Sequence, residues 1–404
     1  MSMRVLIVSW ELPTFDRTSG GLRLFTLMSL LVEGGAACDF LLAAPNRELR
    51  RYGDAEVDRY ADEMGRVGVA VRAATLPEVL RQHRYDAVVF EFYSGAEQLG
   101  HVVRALQPQA ALVIDSVDLT YLRWAAMAEV TRKAEDLQRA QDVRRRELAT
   151  YRRSDLVLTL TADESTELRR HIPGVAVFEV PNIHPMPEFA RSEASQPTVL
   201  FIGSFTHEPN VDAVQWVASD IWPRVVAVHP SARLQIIGQR APKDLLPAGS
   251  VGTELLGHVP STAPYLASAW VSIAPLRFGA GMKGKVGEAL AAGLPLVTTT
   301  FGAQGYRLES GQSAFVVDAP EDYAAALIEL LASPDLRQRM GQAGRRVVAE
   351  HFSRESVAAR IPSLLEAIRA AKPTRRPPLL ALRRGLLRAS EVWAKHVAWR
   401  LRRA

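Results

Sequence analysis

Cysteine is almost absent from this chain. The 404 residues carry one, Cys38, so no disulfide can form within the chain, and its place in an apolar run reads as a buried thiol in a reducing compartment. Long apolar runs are missing as well. No stretch of eighteen apolar residues occurs, and Val5 to Trp10 is too short, and too soon followed by Glu11, for a signal peptide. These absences lead us to expect a cytoplasmic protein. An Asp-x-Asp pair is missing too. Internal repeats and low-complexity blocks are lacking outside the arginine-rich end of the chain. A surplus of positive charge on the body is lacking too: residues 372–404 hold ten Lys or Arg against one Glu, so this tail carries +9 and the rest of the chain −4. A body without net positive charge argues against nucleic acid as a partner.

What is present is an ordinary balance of 48% hydrophobic and 23% charged residues, enough to bury two or three domain cores at this length. The chain is organised around Val271 to Thr300, VSIAPLRFGAGMKGKVGEALAAGLPLVTTT. An apolar run to Leu276, a glycine-rich turn, a helical pattern from Gly284 to Ala292, Gly293 as its stop and a β-branched run describe strand, loop, helix, strand. Gly279, Gly281 and Gly284 let backbone N–H groups crowd where the helix begins, and a helix N-terminus favours anions. Lys283 and Lys285 add two full charges there, so a diphosphate suits the chemistry best.

Three motifs compete for these residues. Gly279-Ala-Gly281-Met-Lys-Gly284 fits the dinucleotide fingerprint, yet it lies far from the first strand, and the second strand ends in Thr298-Thr299-Thr300 with no acidic residue. Gly279 to Gly284 followed by Lys285 copies the Walker A spacing, but Val286 stands where Ser or Thr must hold magnesium. The third reading extends through Glu288 to Thr299. F-G-x-G-x-K-x-K-x-x-E-A-L-A-A-G-L-P-L-V-T-T resembles the nucleotide-sugar loop of the retaining glycosyltransferases of family 4, which have the GT-B fold: two Rossmann-like, doubly wound α/β domains of parallel sheet with a cleft between them.

That resemblance implies roles residue by residue. Two glutamates bracket the loop in the family, the first touching sugar hydroxyls and the second the nucleotide ribose. Glu288 matches the second, with an acid complementing the helix dipole as the plain alternative. The first falls on Ala280, so sugar contacts pass to backbone N–H groups around Gly281, Met282 and Lys283. Lys283 and Lys285 become the catalytic pair that carries leaving-group charge, with Ser204 and Arg240 completing the donor side. No cofactor is implied beyond the nucleoside-diphosphate sugar as substrate. The implied activity is transfer of a hexosyl or deoxyhexosyl group, with retention, to a saccharide or a lipid-linked cell-envelope acceptor. A non-catalytic GT-B scaffold that binds nucleotide sugar is the competing expectation, motivated by Ala280.

In chain order, Arg4 to Ser9 reads as a buried strand and Leu22 to Glu33 as a helix. Gly20 and Gly21 at that helix start, with Arg23 one turn in, form a second nest that the resemblance places on the acceptor or phosphate side. A capped turn is the alternative. Further strands are expected at Cys38–Ala43, Ala87–Phe90, Ala111–Ile114, Leu156–Leu160 and Val175–Val180. Asp118 either orients an acceptor hydroxyl at a strand end or caps a long polar helix reaching Arg152. The expected divisions are an acceptor-side domain over 1–183, a linker over 184–197, a nucleotide-sugar domain over 198–352, a helix over 353–372 returning to the first domain, and a tail over 373–404. The second domain repeats the alternation: strand Thr198–Ile202, helix Val211–Val228, strand Arg233–Ile237, a short strand near Glu254 and helix Ala263–Ala269.

In the tail, Leu379, Leu382, Leu386, Ala389, Trp393, Val397 and Leu401 recur at spacings of three and four beside arginines, a basic amphipathic helix. An anionic membrane surface is the expected partner, giving peripheral attachment at the inner face of the cell membrane; an acidic protein or plain solvation are the alternatives. Full-length protein is therefore expected to sediment with anionic vesicles at low salt, less so at high salt, and truncation after Ala371 to release it, because each basic residue near such a surface contributes roughly 1 kcal/mol that salt screens. Truncated protein that still sediments would move the contact off the tail.

Overall fold

Every described β-strand of this protein pairs in parallel, and the reason is legible in burial: β1 (Arg4–Ser9), β4 (Ala87–Glu91), β5 (Ala111–Asp115) and β6 (Leu156–Thr159) are covered on both faces almost throughout. The computed structural model describes residues 2–247, 249–279 and 281–371. Ala280 and the basic tail from Lys372 onward, including its expected helix, lie outside the described residues.

The chain divides into two compact units. The first holds residues up to Tyr121, 138–181 and, among described residues, 358–371; the second holds 122–137 and 182–357. In the first unit β2 (Ala37–Leu42), β3 (Ala70–Val71) and β7 (Val177–Glu179) complete a seven-stranded sheet of order β3-β2-β1-β4-β5-β6-β7. In the second, β8 (Thr198–Ile202), β9 (Arg233–Ile237), β10 (Thr253–Gly257), β11 (Val271–Ala274), β12 (Leu296–Thr298) and β13 (Phe315–Val316) form a six-stranded sheet of order β10-β9-β8-β11-β12-β13. Each sheet thus starts near its middle and winds both ways, the doubly wound pattern the sequence led us to expect.

Three differences from expectation have local causes. The polar helix expected to run from Asp118 to Arg152 is two helices, Thr120–Thr131 and Ala134–Tyr151, because Arg132 adopts φ 54°, which no right-handed helix continues through. The helix expected over Val211–Val228 carries a π turn at Val217–Ile221 between Glu208–Trp216 and Trp222–Val228. Pro223 supplies no N–H at that junction, so the i→i−4 ladder cannot pass through it. The helix expected from Leu22 starts at Ser19, with Thr18 as its cap.

Residues 184–197, read as a linker, are pinned within the second unit. Arg191 donates to the Gly293 carbonyl at 3.0 Å, and Glu193 accepts a two-pronged ion pair from the buried Arg337 at 3.0 and 2.7 Å. The last helix among the described residues, Ile361–Ala370, belongs to the first unit and packs against β5.

At the carboxyl edge of the first sheet, Arg23 is 1% exposed and grips Asp115 with both terminal nitrogens, at 2.6 and 3.0 Å, while also donating to the carbonyls of Val180 and Pro181. One side chain thereby ties the helix Ser19–Glu33 to the ends of β5 and β7. Breaking a buried pair leaves a bare charge in a dry interior, so Asp115→Ala is expected to cost about 3–5 kcal/mol, whereas Arg23→Met with Asp115→Leu recovers most of it. Equilibrium denaturation checks this; a double variant no better than the single one would contradict it.

Candidate functional site

The second sheet reverses its winding at β8, whose neighbours are β9 on one side and β11 on the other. Open α/β sheets bind ligands at the carboxyl edge of such a switch point, here the ends of β8 at Ile202 and β11 at Ala274. The loop leaving β11 leads to the helix Gly284–Ala291, whose cap residue Lys283 is extended (φ −90°, ψ 110°). Gly279 at φ 139° and Gly281 at φ 67° make the turn, conformations that a side chain resists. The first amides of that helix find no acceptor within it and are offered to whatever sits at its start.

Lys285 reaches back to the end of β8. Its Nζ donates to Asn210 Oδ1 at 2.6 Å and lies 4.1 Å from the centroid of the Phe201 ring. Gly203 lies opposite it: a Cβ there would stand 2.7 Å from that Nζ, so a side chain at this position would displace the amine. Burial first, then the neighbouring Lys283, drive the Lys285 amine down to about 7 against the pull of Glu288. Glu288, one turn along, accepts from Thr262 Oγ1 at 2.6 Å, and burial raises its carboxyl above the ordinary range against that bond and Lys285. Lys283 curls onto its own loop, donating to the Gly281 carbonyl at 2.5 Å and lying 3.4 Å from Gln304 Oε1. Met282, its neighbour in the loop, is buried. Ser204 follows β8 and pairs with Thr206 at 2.8 Å, while its carbonyl accepts from Asn210 at 2.7 Å. Arg240, after β9, is exposed with φ 59°.

The structure thus gathers Lys283, Lys285, Glu288, Gly281, Met282 and Ser204 around one strand edge and one helix start. Sequence reasoning missed Asn210 and Thr262, which orient Lys285 and Glu288; neither lies in a motif, and the contacts span 75 and 26 residues. It also missed the bond between Asn182 and the Met282 carbonyl, at 3.1 Å.

Among the residues assigned to the acceptor or phosphate side, Arg23 needs correction. Arg23 is spent inside the first unit on Asp115 and two carbonyls, with no surface to offer a phosphate. The Gly21 amide is taken by Thr18 at 3.1 Å, and its missing side chain makes room for the Thr14 backbone, which a Cβ would meet at 2.6 Å. Gly20 faces open space. Asp118 accepts from Thr120 Oγ1 at 3.2 Å, yet the amides of Thr120 and Tyr121 are capped by Glu147 at 3.0 and 2.8 Å. The cap of that helix comes from 27 residues downstream, where no local signal announces it.

The family model described as "Glycosyl transferases group 1" matches residues 196–333, the stretch that holds this site. Glycogen synthase of Mycobacterium tuberculosis (strain H37Rv) is 31% identical over 228 residues, 51% of this chain and 53% of that protein. Spore coat protein SA of Bacillus subtilis (strain 168) is 33% identical over 82 residues, 20% of this chain and 22% of that protein. The chain therefore spans between about a fifth and about half of the length of these curated relatives. Among solved structures, sucrose-phosphate synthase from Thermosynechococcus elongatus superposes with a TM-score of 0.67 at 15% identity, over 92% of this chain and 100% of that one. Anabaena HepE in complex with UDP-glucose gives 0.61 at 12%, over 90% and 100%. The fold is GT-B. Likeness at such identities carries the architecture, two doubly wound parallel-sheet domains, and leaves the chemistry to the residues themselves.

One consequence of the site is testable with inorganic pyrophosphate. The Lys285 amine is neutral above about 7 and regains its proton when an anion settles beside it, since the anion pulls its affinity for protons back toward the ordinary 10.5. Binding is expected to take up close to one proton at pH 8, and affinity to fall by up to about tenfold per unit as pH rises through that window. Calorimetry in buffers of different ionisation enthalpy reads the uptake. Lys285→Met should abolish it, and uptake unchanged in that variant would move the proton elsewhere.

Proposed function

We propose that the protein moves a sugar from a nucleoside-diphosphate sugar to a hydroxyl of a saccharide or lipid-linked acceptor in cell-envelope polysaccharide synthesis, with retention at the anomeric carbon, as a family 4 type hexosyl- or deoxyhexosyltransferase. One observation carries this reading: within residues 196–333, which match the glycosyltransferase family model, two lysines and the start of one helix converge at the switch point of a parallel sheet. That HepE was crystallised with UDP-glucose on the same architecture supports a nucleotide sugar as ligand.

The diphosphate rests against the amides of Gly284 and Lys285, with Lys283 and Lys285 supplying full charge. Glu288 holds the ribose hydroxyls, and the backbone around Gly281 to Lys283 addresses the sugar. During transfer the bond from the anomeric carbon to the diphosphate oxygen breaks while the bond to the acceptor oxygen forms on the same face. The acceptor proton passes to the departing oxygen, whose growing charge the two lysines and the helix stabilise. Charge on the leaving group is met by protein cations, so the proposal needs no metal. Attachment to an anionic membrane through residues 373–404 would bring the enzyme to an acceptor held in that membrane.

The test is release of nucleoside diphosphate when the protein meets a panel of nucleotide sugars and candidate acceptors. Activity in excess EDTA is expected to persist. Lys283→Ala and Lys285→Ala should each weaken nucleoside-diphosphate binding by about 1.5–3 kcal/mol, the worth of a charge-assisted contact. Glu288→Gln should weaken the nucleotide and spare pyrophosphate. Tight binding with no release from any donor would make the protein the nucleotide-sugar scaffold instead, and wild-type affinity in both lysine variants would remove the site.

A further inference from the structure

The chain returns to the second unit at Asn182, and the residues that lead back into it reach straight to the glycine-rich loop. Asn182 Nδ2 donates to the Met282 carbonyl at 3.1 Å. The next polar side chain, His184, is 4% exposed; its Nε2 lies 2.9 Å from the hydroxyl of Tyr306, and that hydroxyl donates to the Lys283 carbonyl at 2.9 Å. Because Tyr306 gives its single proton to a carbonyl, His184 must be the donor in their pair, which fixes the tautomer with hydrogen on Nε2. The imidazole is neutral, since burial holds its affinity for protons down to about 4. Tyr306 is fully buried and packs edge-on against Phe352, which holds its ring in place. Gly287, one turn into the helix, completes the fit: a Cβ there would stand 2.1 Å from His184 Nε2.

Peptide planarity turns these bonds into directions. A trans peptide aims its C=O and the following N–H opposite ways. Drawing the Met282 carbonyl toward Asn182 aims the Lys283 amide away from it, and drawing the Lys283 carbonyl toward Tyr306 and the Val286 amide aims the Gly284 amide away likewise. Each held carbonyl thus fixes the direction of the amide that follows it; because Lys283 is extended, the Lys283 and Gly284 amides point to different sides, and the Gly284 amide is the one presented at the helix start.

We propose that Asn182, His184 and Tyr306 are positioning residues that set the anion-binding geometry where the Gly281–Lys283 loop meets the helix, linking the residues that lead back into the second unit to that loop. This rests on the reading of that helix start as the diphosphate site. None of the three touches substrate; each acts through the carbonyls it holds.

The experiment measures hydrogen exchange over residues 281–287 in the unliganded full-length protein, and affinity for inorganic pyrophosphate, in Tyr306→Phe, His184→Gln, His184→Ala and Asn182→Ala. Tyr306→Phe, which removes one oxygen and keeps the ring, is expected to speed exchange over that segment and to weaken pyrophosphate about tenfold, one neutral hydrogen bond's worth. His184→Ala should behave similarly, while His184→Gln, whose amide can still donate to Tyr306, should stay near wild type in both readouts. A merely structural role would lower thermal stability in both His184 variants and leave pyrophosphate affinity unsplit between them. Exchange and affinity unchanged in Tyr306→Phe, or equal affinity losses in His184→Gln and His184→Ala, would overturn the proposal. Wild-type protein that ignores pyrophosphate while Tyr306→Phe still speeds local exchange would instead sink the diphosphate reading and leave the tie standing.

Discussion

A helix that begins at the carboxyl edge of a parallel sheet has amides with nothing in the helix to bond, and the character of the second unit depends mainly on how this chain treats them. The glycines before Gly284 take backbone angles that side chains resist, so the loop can close tightly over the strand end. Two lysines are then held beside the same helix start, where they repel each other and burial starves one of its proton. On this account an anion settling at the helix start would draw a proton back onto Lys285. The site is then defined less by any single side chain than by the amides and amines that converge there.

The first unit uses the same architecture to the opposite end. Its helix Ser19–Glu33 also carries a glycine pair, in its first turn, yet the arginine one turn in is turned inward onto Asp115, and the Gly21 amide is spent on Thr18. Positive charge that could have met a ligand is consumed in holding the sheet's carboxyl edge together. Glu91, at the end of β4, is buried there as well and carries a carboxyl pushed up to about 8, chiefly by burial, so this edge is closed and largely neutralised rather than poised for an anion.

The contrast explains what could be read from sequence. Strands buried on both faces announce themselves as apolar runs, and β1, β8 and β9 were expected with the ends they have. The two-residue strands β3 and β13 carry no periodicity and could not be seen. The loop with Gly281, Lys283, Lys285 and Glu288 was legible because its chemistry is contiguous. Its supports were not: Asn210, Thr262, Asn182 and Tyr306 come from elsewhere in the chain, Asn182 from 100 residues away, and only folding brings them to it. Arg23 shows the converse failure, since a cation beside a glycine pair looks the same in sequence whether it faces solvent or a buried carboxylate.

The central claim is that a diphosphate is held at the start of the helix Gly284–Ala291. The most direct measurement is a crystal structure of the protein with a bound nucleoside diphosphate. The account requires phosphate oxygens within hydrogen-bonding distance, about 2.7–3.2 Å, of the Gly284 and Lys285 amides, with the ribose against Glu288. A diphosphate seated instead at the glycine pair before Arg23, or a ligand whose phosphates lie away from Lys283 and Lys285 altogether, would contradict it.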